Sequence, residues 1–182
     1  SANFLKNQYK VSAFQIILFR YSGQDDILVG TPIANRTRFE TEGLIGFFSN
    51  TLVLRGNLSG NPTFREFAKR IKEATLEAFE HQEMPFEKLV DELQIERDMS
   101  RNPLFQVMFV LQNTPKLQLE MGEAVMEPIQ FHNGTSKFDL SLSVIEDEDR
   151  LEGAFEYNSD IFEADTIKRI IGNLKVLLEG IV

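Results

Sequence analysis

The chain has 182 residues, with 19 Lys and Arg against 28 Asp and Glu, a formal net charge of −9 and no cysteine. This length fits one well-packed domain, and the missing cysteines exclude a disulfide framework and a cysteine nucleophile. The negative charge argues against a non-specific nucleic-acid surface, which needs clustered Lys and Arg. No apolar run approaches the roughly 18 residues of a membrane span, and the start lacks a signal-peptide pattern. We therefore expect a soluble, acidic, cytoplasmic domain.

The first third of the chain predicts one helix and two strands. Apolar residues recur at helical spacing over residues 11–21, and Gly23 stands where a C-cap glycine would end the helix. The short apolar run at residues 27–30 predicts a strand buried on both faces. Residues 31–43 are polar and predict a loop, and the apolar residues 44–54 predict a second strand.

The middle of the chain predicts two helices. Thr63 and Glu66 form a capping box, in which each residue satisfies a free N–H group of the first turn. One apolar face then follows at helical spacing; it comprises Phe64, Phe67, Ala68, Ile71, Ala74, Thr75, Ala78 and Phe79. Pro85 predicts the start of a second, short helix, because proline is favoured in a first turn. The side of this helix that we expect to be buried comprises Phe86, Leu89, Val90 and Leu93.

The last third predicts strands followed by a helix. Residues 105–111, apolar except for Gln106, predict a strand, and apolar positions alternate with other residues over 138–144 and 151–157. The acidic residues 146–149 between them predict a hairpin turn. A final helix is expected from about Glu163. The order of elements predicts an α+β fold, a two-layer sandwich in which helices pack against one mixed β-sheet.

The sequence offers little for metal or nucleophilic chemistry. The two histidines, His81 and His132, have no identifiable partner as general bases, and no G-x-S-x-G elbow accompanies them. Two isolated histidines without cysteine lack the ligand spacing of a zinc site. The acidic run at 146–149 lacks the alternating ligands and central glycine of a calcium loop. Since no glycine-rich phosphate loop is present either, the patterns support neither a metal site nor a nucleotide site.

Three polar clusters remain that the predicted fold does not require. They lie at residues 50–51, within an apolar context, at 81–87, between the two middle helices, and at 97–103, before a buried strand. Each has a purely structural explanation, because buried polar groups need partners whatever their function. The asparagine of the first can satisfy a loop backbone, the last glutamate of the second can support a helix start, and an Asp–Arg pair in the third can brace a turn. The structural and functional explanations are both open at this point.

Together the clusters resemble the condensation domains of nonribosomal peptide synthetases. Residues 45–55, IGFFSNTLVLR, look like the fifth core motif of that family, I-G-x-F-V-N-T-x-x-x-R. Residues 81–87, HQEMPFE, look like the sixth, H-Q-D-x-P-F-E, and residues 97–104, RDMSRNPL, match the seventh, R-D-x-S-R-N-P-L. Ser49 stands where Val is usual and Glu83 where Asp is usual; both are compatible with the same roles. The segments between the motifs resemble the family as well, so the resemblance covers essentially the whole chain.

The resemblance implies half of an active site. Condensation domains have two lobes of the chloramphenicol acetyltransferase fold around a tunnel, with the catalytic H-H-x-x-x-D-G motif in the first lobe. That motif does not occur in residues 1–182, so the resemblance implies a C-terminal lobe spanning 1–182, with no catalytic residue. In the family, carrier domains deliver thioesters on phosphopantetheine arms. The expected partners are thus the N-terminal lobe, peptidyl carrier domains and the adjacent adenylation domain, with no cofactor bound directly.

The resemblance also implies roles for the motif residues. Phe48, Asn50 and Thr51 are expected to face the tunnel and contact the substrate. The other motif residues are expected to be structural, fixing the corner between the helices and bracing the strand after residue 103. This structural set comprises Gly46, Arg55, His81, Gln82, Pro85, Phe86, Glu87, Arg97, Asp98, Ser100, Arg101, Asn102 and Pro103.

Two other interpretations are open. One is a non-catalytic carrier-docking or recruitment domain of the same fold, which the residues upstream would distinguish, since an intact H-H-x-x-x-D-G favours the enzyme. The other is an epimerisation or heterocyclisation relative, against which the motifs at 81–87 and 97–104 argue. An isolated lobe would expose the face that meets its partner lobe. Because large exposed apolar patches associate, we expect dimers or larger oligomers of the chain alone.

Overall fold

The computed structural model describes residues 2–95, 101–112, 134–147 and 150–181. In these ranges, none of the helices is both long enough and apolar enough to cross a membrane. The helices and strands follow in the order α1 (Ala2–Ser22), β1 (Asp26–Ile33), α2 (Phe39–Glu42), β2 (Asn50–Asn57), α3 (Phe64–Glu80), α4 (Phe86–Glu92), β3 (Val107–Gln112), β4 (Leu140–Asp147), β5 (Arg150–Tyr157) and α5 (Ala164–Ile181).

The five strands form one mixed sheet in the order β2-β1-β3-β4-β5. The outer pairs, β1 with β2 and β4 with β5, are antiparallel, whereas β1 with β3 and β3 with β4 are parallel. Gly30 of β1 lies opposite Met108 of β3 at the parallel seam in the middle of the sheet. The predicted α+β class with a mixed sheet is confirmed.

The helix layer packs on one face of the sheet, with α1 between α3 and α5. The fully buried ring of Phe14 in α1 lies 6.0 Å from the ring of Phe109 and 6.1 Å from that of Phe155. Apolar side chains at alternate strand positions meet the apolar faces of the helices. The resulting core includes Val11, Ile17, Ile27, Val29, Leu54, Phe67, Ile71, Leu140, Leu142, Val144, Ile167, Ile170 and Leu174.

A polar side chain also links α1 to the sheet. Gln15 is fully buried, and its Nε2 donates to the carbonyl oxygen of Leu54 at 3.0 Å. Gly56 leaves room for this amide, since a Cβ there would lie 2.7 Å from Gln15 Oε1. At the end of α1, the predicted C-cap is confirmed: Gly23 has a φ of +70° and its N–H donates to Phe19 O at 2.8 Å.

The predicted start of α3 is confirmed as well. The hydroxyl of Thr63 accepts from the backbone N–H of Glu66, whose carboxylate accepts from the N–H of Thr63 in return. The short second helix also forms, with Pro85 as its N-cap. Its predicted apolar side is wrong at one position, because Leu93 is the C-cap and remains 54% exposed.

The connection between β1 and β2 differs most from the prediction. β1 continues to Ile33, and the predicted loop contains the short helix α2. Residues 44–49 are not a strand: β2 begins at Asn50, which lies opposite Ile33. Because β1 ends there, the preceding apolar residues have no strand to pair with.

The predicted hairpin turn at 146–149 is also shorter than expected. Glu146 and Asp147 belong to β4 and lie opposite Leu151 and Arg150 of β5. The two other residues of the predicted turn, 148 and 149, lie outside the described ranges.

Candidate functional site

Asn50 joins the start of β2 to the connection between α3 and α4. Its Nδ2 donates to the carbonyl oxygens of Gln82 at 2.9 Å and Met84 at 2.7 Å. Its Oδ1 accepts from the backbone N–H of Phe86 at 3.1 Å and from that of Thr51 at 2.9 Å. An asparagine amide has two donor hydrogens and two acceptor lone pairs, so these four bonds use all of them. The fifth and sixth motifs thus meet at one residue.

The bond to Phe86 also completes the first turn of α4. The first N–H groups of a helix lack partners within the helix, and the N-cap Pro85 provides no side-chain cap. Asn50, distant in sequence, supplies the missing acceptor. This contact explains why a helix of only seven residues starts sharply after the turn.

The rest of the sixth motif forms the turn through its backbone. His81 is the C-cap of α3; its N–H donates to Glu77 O at 3.3 Å and its carbonyl accepts from Met84 N at 3.0 Å. The His81 and Glu87 side chains are exposed. Glu83 Oε1 accepts from the hydroxyl of Thr37 at 3.4 Å, which links the turn to the segment after β1.

We call the α3–α4 connection and Asn50, which is bonded to it, the corner. A row of three aromatic rings extends from the corner to the residues that follow the seventh motif. The ring of Phe86 lies 5.5 Å from that of Phe105, which in turn stacks at 5.6 Å on Phe138. Phe105 is 3% exposed and lies directly over Gly30, where an added Cβ would be 2.2 Å from Phe105 Cε2. Since Val29 faces the helix layer, its neighbour Gly30 faces the opposite side of the sheet. Only glycine at position 30 permits this close approach.

Two described residues of the seventh motif, Asn102 and Pro103, form hydrogen bonds just before β3. Asn102 Nδ2 donates to Lys137 O at 3.0 Å, and the carbonyl of Asn102 accepts from Gln106 Nε2 at 3.0 Å. The carbonyl of Pro103 accepts from the N–H of Phe105 at 2.9 Å, while Arg101 is exposed. Three other predicted residues of this motif lie outside the described ranges: Arg97, Asp98 and Ser100.

Arg55 lies at the far end of β2 from the corner. Its Nε and Nη2 bind the two carboxylate oxygens of Asp26 at 2.9 and 2.7 Å, across the β1–β2 pair. Hydrogen bonding from Arg55 lowers the pKa of the Asp26 carboxyl below its ordinary value. Both side chains are largely exposed, so this pair contributes little to stability.

Phe48 and Gly46 belong to a second cluster, around Arg36. The guanidinium of Arg36 lies 4.5 Å from the centre of the Phe48 ring and donates to the carbonyl oxygens of Thr41 and Gly46. A Cβ at Gly46 would lie 3.1 Å from Phe48 Cε2. Phe48 is therefore held by a cation and faces the segment that precedes it.

Three residues important to this arrangement were not predicted as site residues: Gly30, Arg36 and Phe105. A glycine inside an apolar strand indicates a close approach of other atoms, so the sequence contained a signal for Gly30. The sequence contained no comparable signal for Phe105, the residue whose ring lies over Gly30. In the described part of the chain, no group of three His, Asp or Glu residues is placed to hold a metal ion.

The solved structures with a similar fold define the class of protein. The chain superimposes with a TM-score of 0.86 on a four-domain nonribosomal peptide synthetase, covering 98% of this chain and 15% of that one at 21% identity. It superimposes with a TM-score of 0.80 on the X-domain from teicoplanin biosynthesis, covering 94% of this chain and 41% of that one at 28% identity. The fold is that of the chloramphenicol acetyltransferase-like domains.

The sequence comparisons then show the family. The profile of the family described as "Condensation domain" matches residues 8–182, and the chain belongs to this family. Two proteins of the linear gramicidin synthase of Brevibacillus parabrevis are 50% identical to it over 174 residues and 54% identical over 177 residues. Each match covers 94% of this chain but only 2% and 3% of the respective synthase protein.

Proposed function

We propose that the chain is the C-terminal lobe of a condensation domain that forms a peptide bond between two carrier-bound thioesters in a nonribosomal peptide synthetase. The observation that carries this proposal is the match of residues 8–182 to the condensation-domain family. The 50% sequence identity to a linear gramicidin synthase protein supports it. The fifth and sixth motifs also meet in space through Asn50 and Phe86, and the ring of Phe86 contacts Phe105, the residue that follows the seventh motif. Because these segments contact one another, the motif matches are better explained by one intact lobe than by three unrelated similarities in sequence.

The proposed reaction joins two substrates that are both tethered. The amine of the acceptor attacks the thioester carbonyl of the donor. The C–N bond forms, the C–S bond breaks, and the proton that the amine loses ends on the departing thiolate, which leaves as the free thiol of the donor arm. The main physical demand is proximity, with both reactants held in attack geometry and shielded from water. Phosphopantetheine arms of carrier domains would bring the substrates, and this lobe would provide one tunnel wall and part of the carrier-docking surface.

The motif residues in this chain are proposed to shape the tunnel rather than to perform chemistry. All four hydrogen-bonding positions of the Asn50 amide are occupied by the protein itself. This favours Asn50 as a positioning residue over the substrate contact predicted from the sequence. Phe48 and Thr51, both half-buried, stay predictions as tunnel-facing residues.

Reconstitution of the domain from its two lobes tests the proposal. Purified first lobe and this chain are mixed with two loaded carrier domains, and dipeptide formation is measured. We expect product only when both lobes are present, because residues 1–182 lack the H-H-x-x-x-D-G motif. The matched control is a first lobe with the second histidine of that motif replaced by alanine, which should give no product. Product from this chain alone, or none from two lobes shown to bind each other, would contradict the proposal.

A recruitment function is the second candidate. The specific observation in its favour is the similarity to the X-domain of teicoplanin biosynthesis, solved in complex with OxyB, at 28% identity and a TM-score of 0.78. The higher identity to gramicidin synthase proteins favours condensation. The two candidates are distinguished by the first lobe: an intact catalytic motif supports condensation, and a degraded one supports recruitment. With either function, the chain would work in the cytoplasm beside carrier and adenylation domains.

A further inference from the structure

The last strand, β5, lies at an edge of the sheet, and no other described strand pairs with its outer side. The opposite edge is β2, on which α3 packs and of which three residues are buried. No residue of β5 is buried, and five of its eight residues are exposed. An uncovered strand edge is a ready surface for pairing with another strand.

The pairing of β5 with β4 identifies the backbone groups on the outer side. The N–H of Asn158, directly after the strand, donates to Asp139 O at 3.0 Å, so these two residues form a hydrogen-bonded pair. Antiparallel strands alternate between hydrogen-bonded and non-hydrogen-bonded pairs. In the regular β4–β5 register, the even-numbered residues of β5 therefore bond to β4. The backbone groups of Leu151, Gly153 and Phe155 point to the outer side.

This edge lacks several features that commonly prevent strand pairing. It contains no proline and no lysine, and its register with β4 has no bulge. Its charged side chains are Arg150, Glu152 and Glu156. They lie on the face of the sheet away from the helices, because Phe155 packs against Phe14 of the helix layer. The arrangement of these charges decides which strand fits.

We propose that β5 pairs with β5 of a second copy of the chain, antiparallel and centred on Gly153. A two-fold axis at Gly153 brings the same edge of both copies together and joins two five-stranded sheets into one sheet of ten strands. Leu151 of each copy then lies opposite Phe155 of the other, and Arg150 lies opposite Glu156. The outward backbone groups form about six hydrogen bonds, two for each of three pairs.

The charges on β5 favour this register over its neighbours. Arg150 and Glu156 have no ion pair with a described residue of their own chain, and across the two-fold axis they face each other twice. Moving one strand by two residues places Glu152 opposite either Glu152 or Glu156 of the other copy. Like charges directly opposite each other destabilise a strand pair, whereas unlike charges stabilise it. Charge complementarity therefore favours a second copy as the occupant of the edge.

The other face of the strand supports the same pairing. Leu151 is 46% exposed, although its side of the sheet faces the helix layer. Phe155 is half-buried. In the proposed dimer these two side chains are cross-strand neighbours, and apolar cross-strand pairs with an aromatic ring stabilise a sheet.

Exchange of the two charges tests the pairing. Every sample carries Phe39→Ser with Phe47→Ser, because these exposed side chains offer a second route to association. In analytical ultracentrifugation this parent should show a monomer–dimer equilibrium. Arg150→Glu alone and Glu156→Arg alone should each weaken the dimer several-fold, since like charges then face each other. An equimolar mixture of the two variants should recover a heterodimer, because unlike charges then meet at both 150–156 pairs.

A control and a rescue complete this experiment. Lys175→Glu, at an exposed position of α5, makes the same change of charge as Arg150→Glu and should leave the dimer unchanged. The variant with both Arg150→Glu and Glu156→Arg should dimerise like the parent, which keeps the proposal testable if a single variant fails to fold. A monomeric parent at all concentrations, or a mixture that recovers no dimer, would overturn the proposal.

Hydrogen exchange tests the location of the contact. The backbone N–H groups of residues 150–157 should exchange several-fold more slowly in a concentrated sample than in a dilute one, because pairing protects the outward groups. Those of β2, at the other edge, should exchange equally in both samples. Equal exchange at 150–157, or protection at β2 instead, contradicts the proposal. Neither measurement involves dipeptide formation, so the strand pairing and the proposed reaction can fail independently.

Discussion

At the scale of single residues, the arrangement around the α3–α4 connection depends on two residues whose neighbours leave no freedom. Asn50 has four hydrogen bonds to four backbone groups, and Gly30 has a phenylalanine ring where any side chain would be. Neither residue carries charge or reactivity. Their importance comes from geometry, because unpaired buried polar groups and overlapping atoms are both costly.

Asn50→Ala should destabilise the chain by about 2 kcal/mol, since it removes every bond of the amide and leaves the N–H of Phe86 without its acceptor. Thermal or urea unfolding measures the change. Ser49→Ala, next in sequence and exposed, is the matched control and should be nearly neutral. Equal stability of the two variants would contradict the role assigned to the amide.

Gly30→Ala should cost about 1–3 kcal/mol or more, because the new Cβ overlaps the Phe105 ring. Gly153→Ala is the control: it is also a strand glycine, but its Cβ would have an ordinary contact, 3.7 Å from Leu142 Cδ1. Combining Gly30→Ala with Phe105→Leu should recover part of the loss. The double-mutant cycle, followed by denaturant unfolding, would refute the contact if the two substitutions were additive.

At the scale of elements, most of the fold follows from local pattern. The helical spacing of α1 and α3 and the capping box at Thr63 predict elements that the structure shows. The predictions fail where a segment becomes a strand only if a neighbouring strand is available to pair with it. Residues 44–49 are apolar enough for a strand, but β1 ends at Ile33, opposite Asn50, so they have no partner strand. The contact between β2 and the α3–α4 connection could not be predicted for a similar reason. A motif match names Asn50 and Phe86 but does not show which atoms they contact.

The capping box of α3 makes stability depend on pH. Hydrogen bonds from the backbone N–H and hydroxyl of Thr63 lower the pKa of Glu66 below its ordinary value of 4.5. A group with a lowered folded pKa stabilises the protein fully above its unfolded pKa and loses this effect as the pH falls through the folded value. Stability should therefore decrease below about pH 4.5. Glu66→Gln keeps a capping side chain and should show a shallower decrease in melts between about pH 3 and 6; an identical pH profile would contradict the assignment.

At the scale of the whole molecule, the described residues form a two-layer sandwich, and the connection between β1 and β2 exposes large apolar side chains, among them Ile45 and Phe47. The fold class and the family could be inferred from the sequence because motifs and periodicity are local. The exposure of this connection could not be inferred, because the apolar pattern of residues 44–47 predicts a buried strand, whereas Ile45 and Phe47 are almost fully exposed. These side chains are exposed because β1 ends at Ile33. The end of β1 becomes clear only from the structure.

The chain alone should therefore self-associate in a concentration-dependent way. Exposed apolar patches promote association, and the connection between β1 and β2 exposes Phe39 (85%), Ile45 (105%) and Phe47 (91%). Light scattering across a concentration series measures it. Replacing both Phe39 and Phe47 by serine should shift the distribution toward monomer. The control Val176→Ser, at an exposed position of α5 away from this connection, should not. A monomer at high concentration would contradict the prediction.

The strand order has a consequence for the time course of folding. The hairpin-like pairs β1–β2 and β4–β5 join segments close in sequence, but the central seam joins Gly30 to Met108 across a long stretch of chain. Contacts between distant segments form slowly, because closing a long loop costs entropy before any contact is gained. We expect the two edges of the sheet to appear first and the seam last. During synthesis on the ribosome, the first half of the sheet must wait, with its inner edge open, until residue 108 has left the exit tunnel.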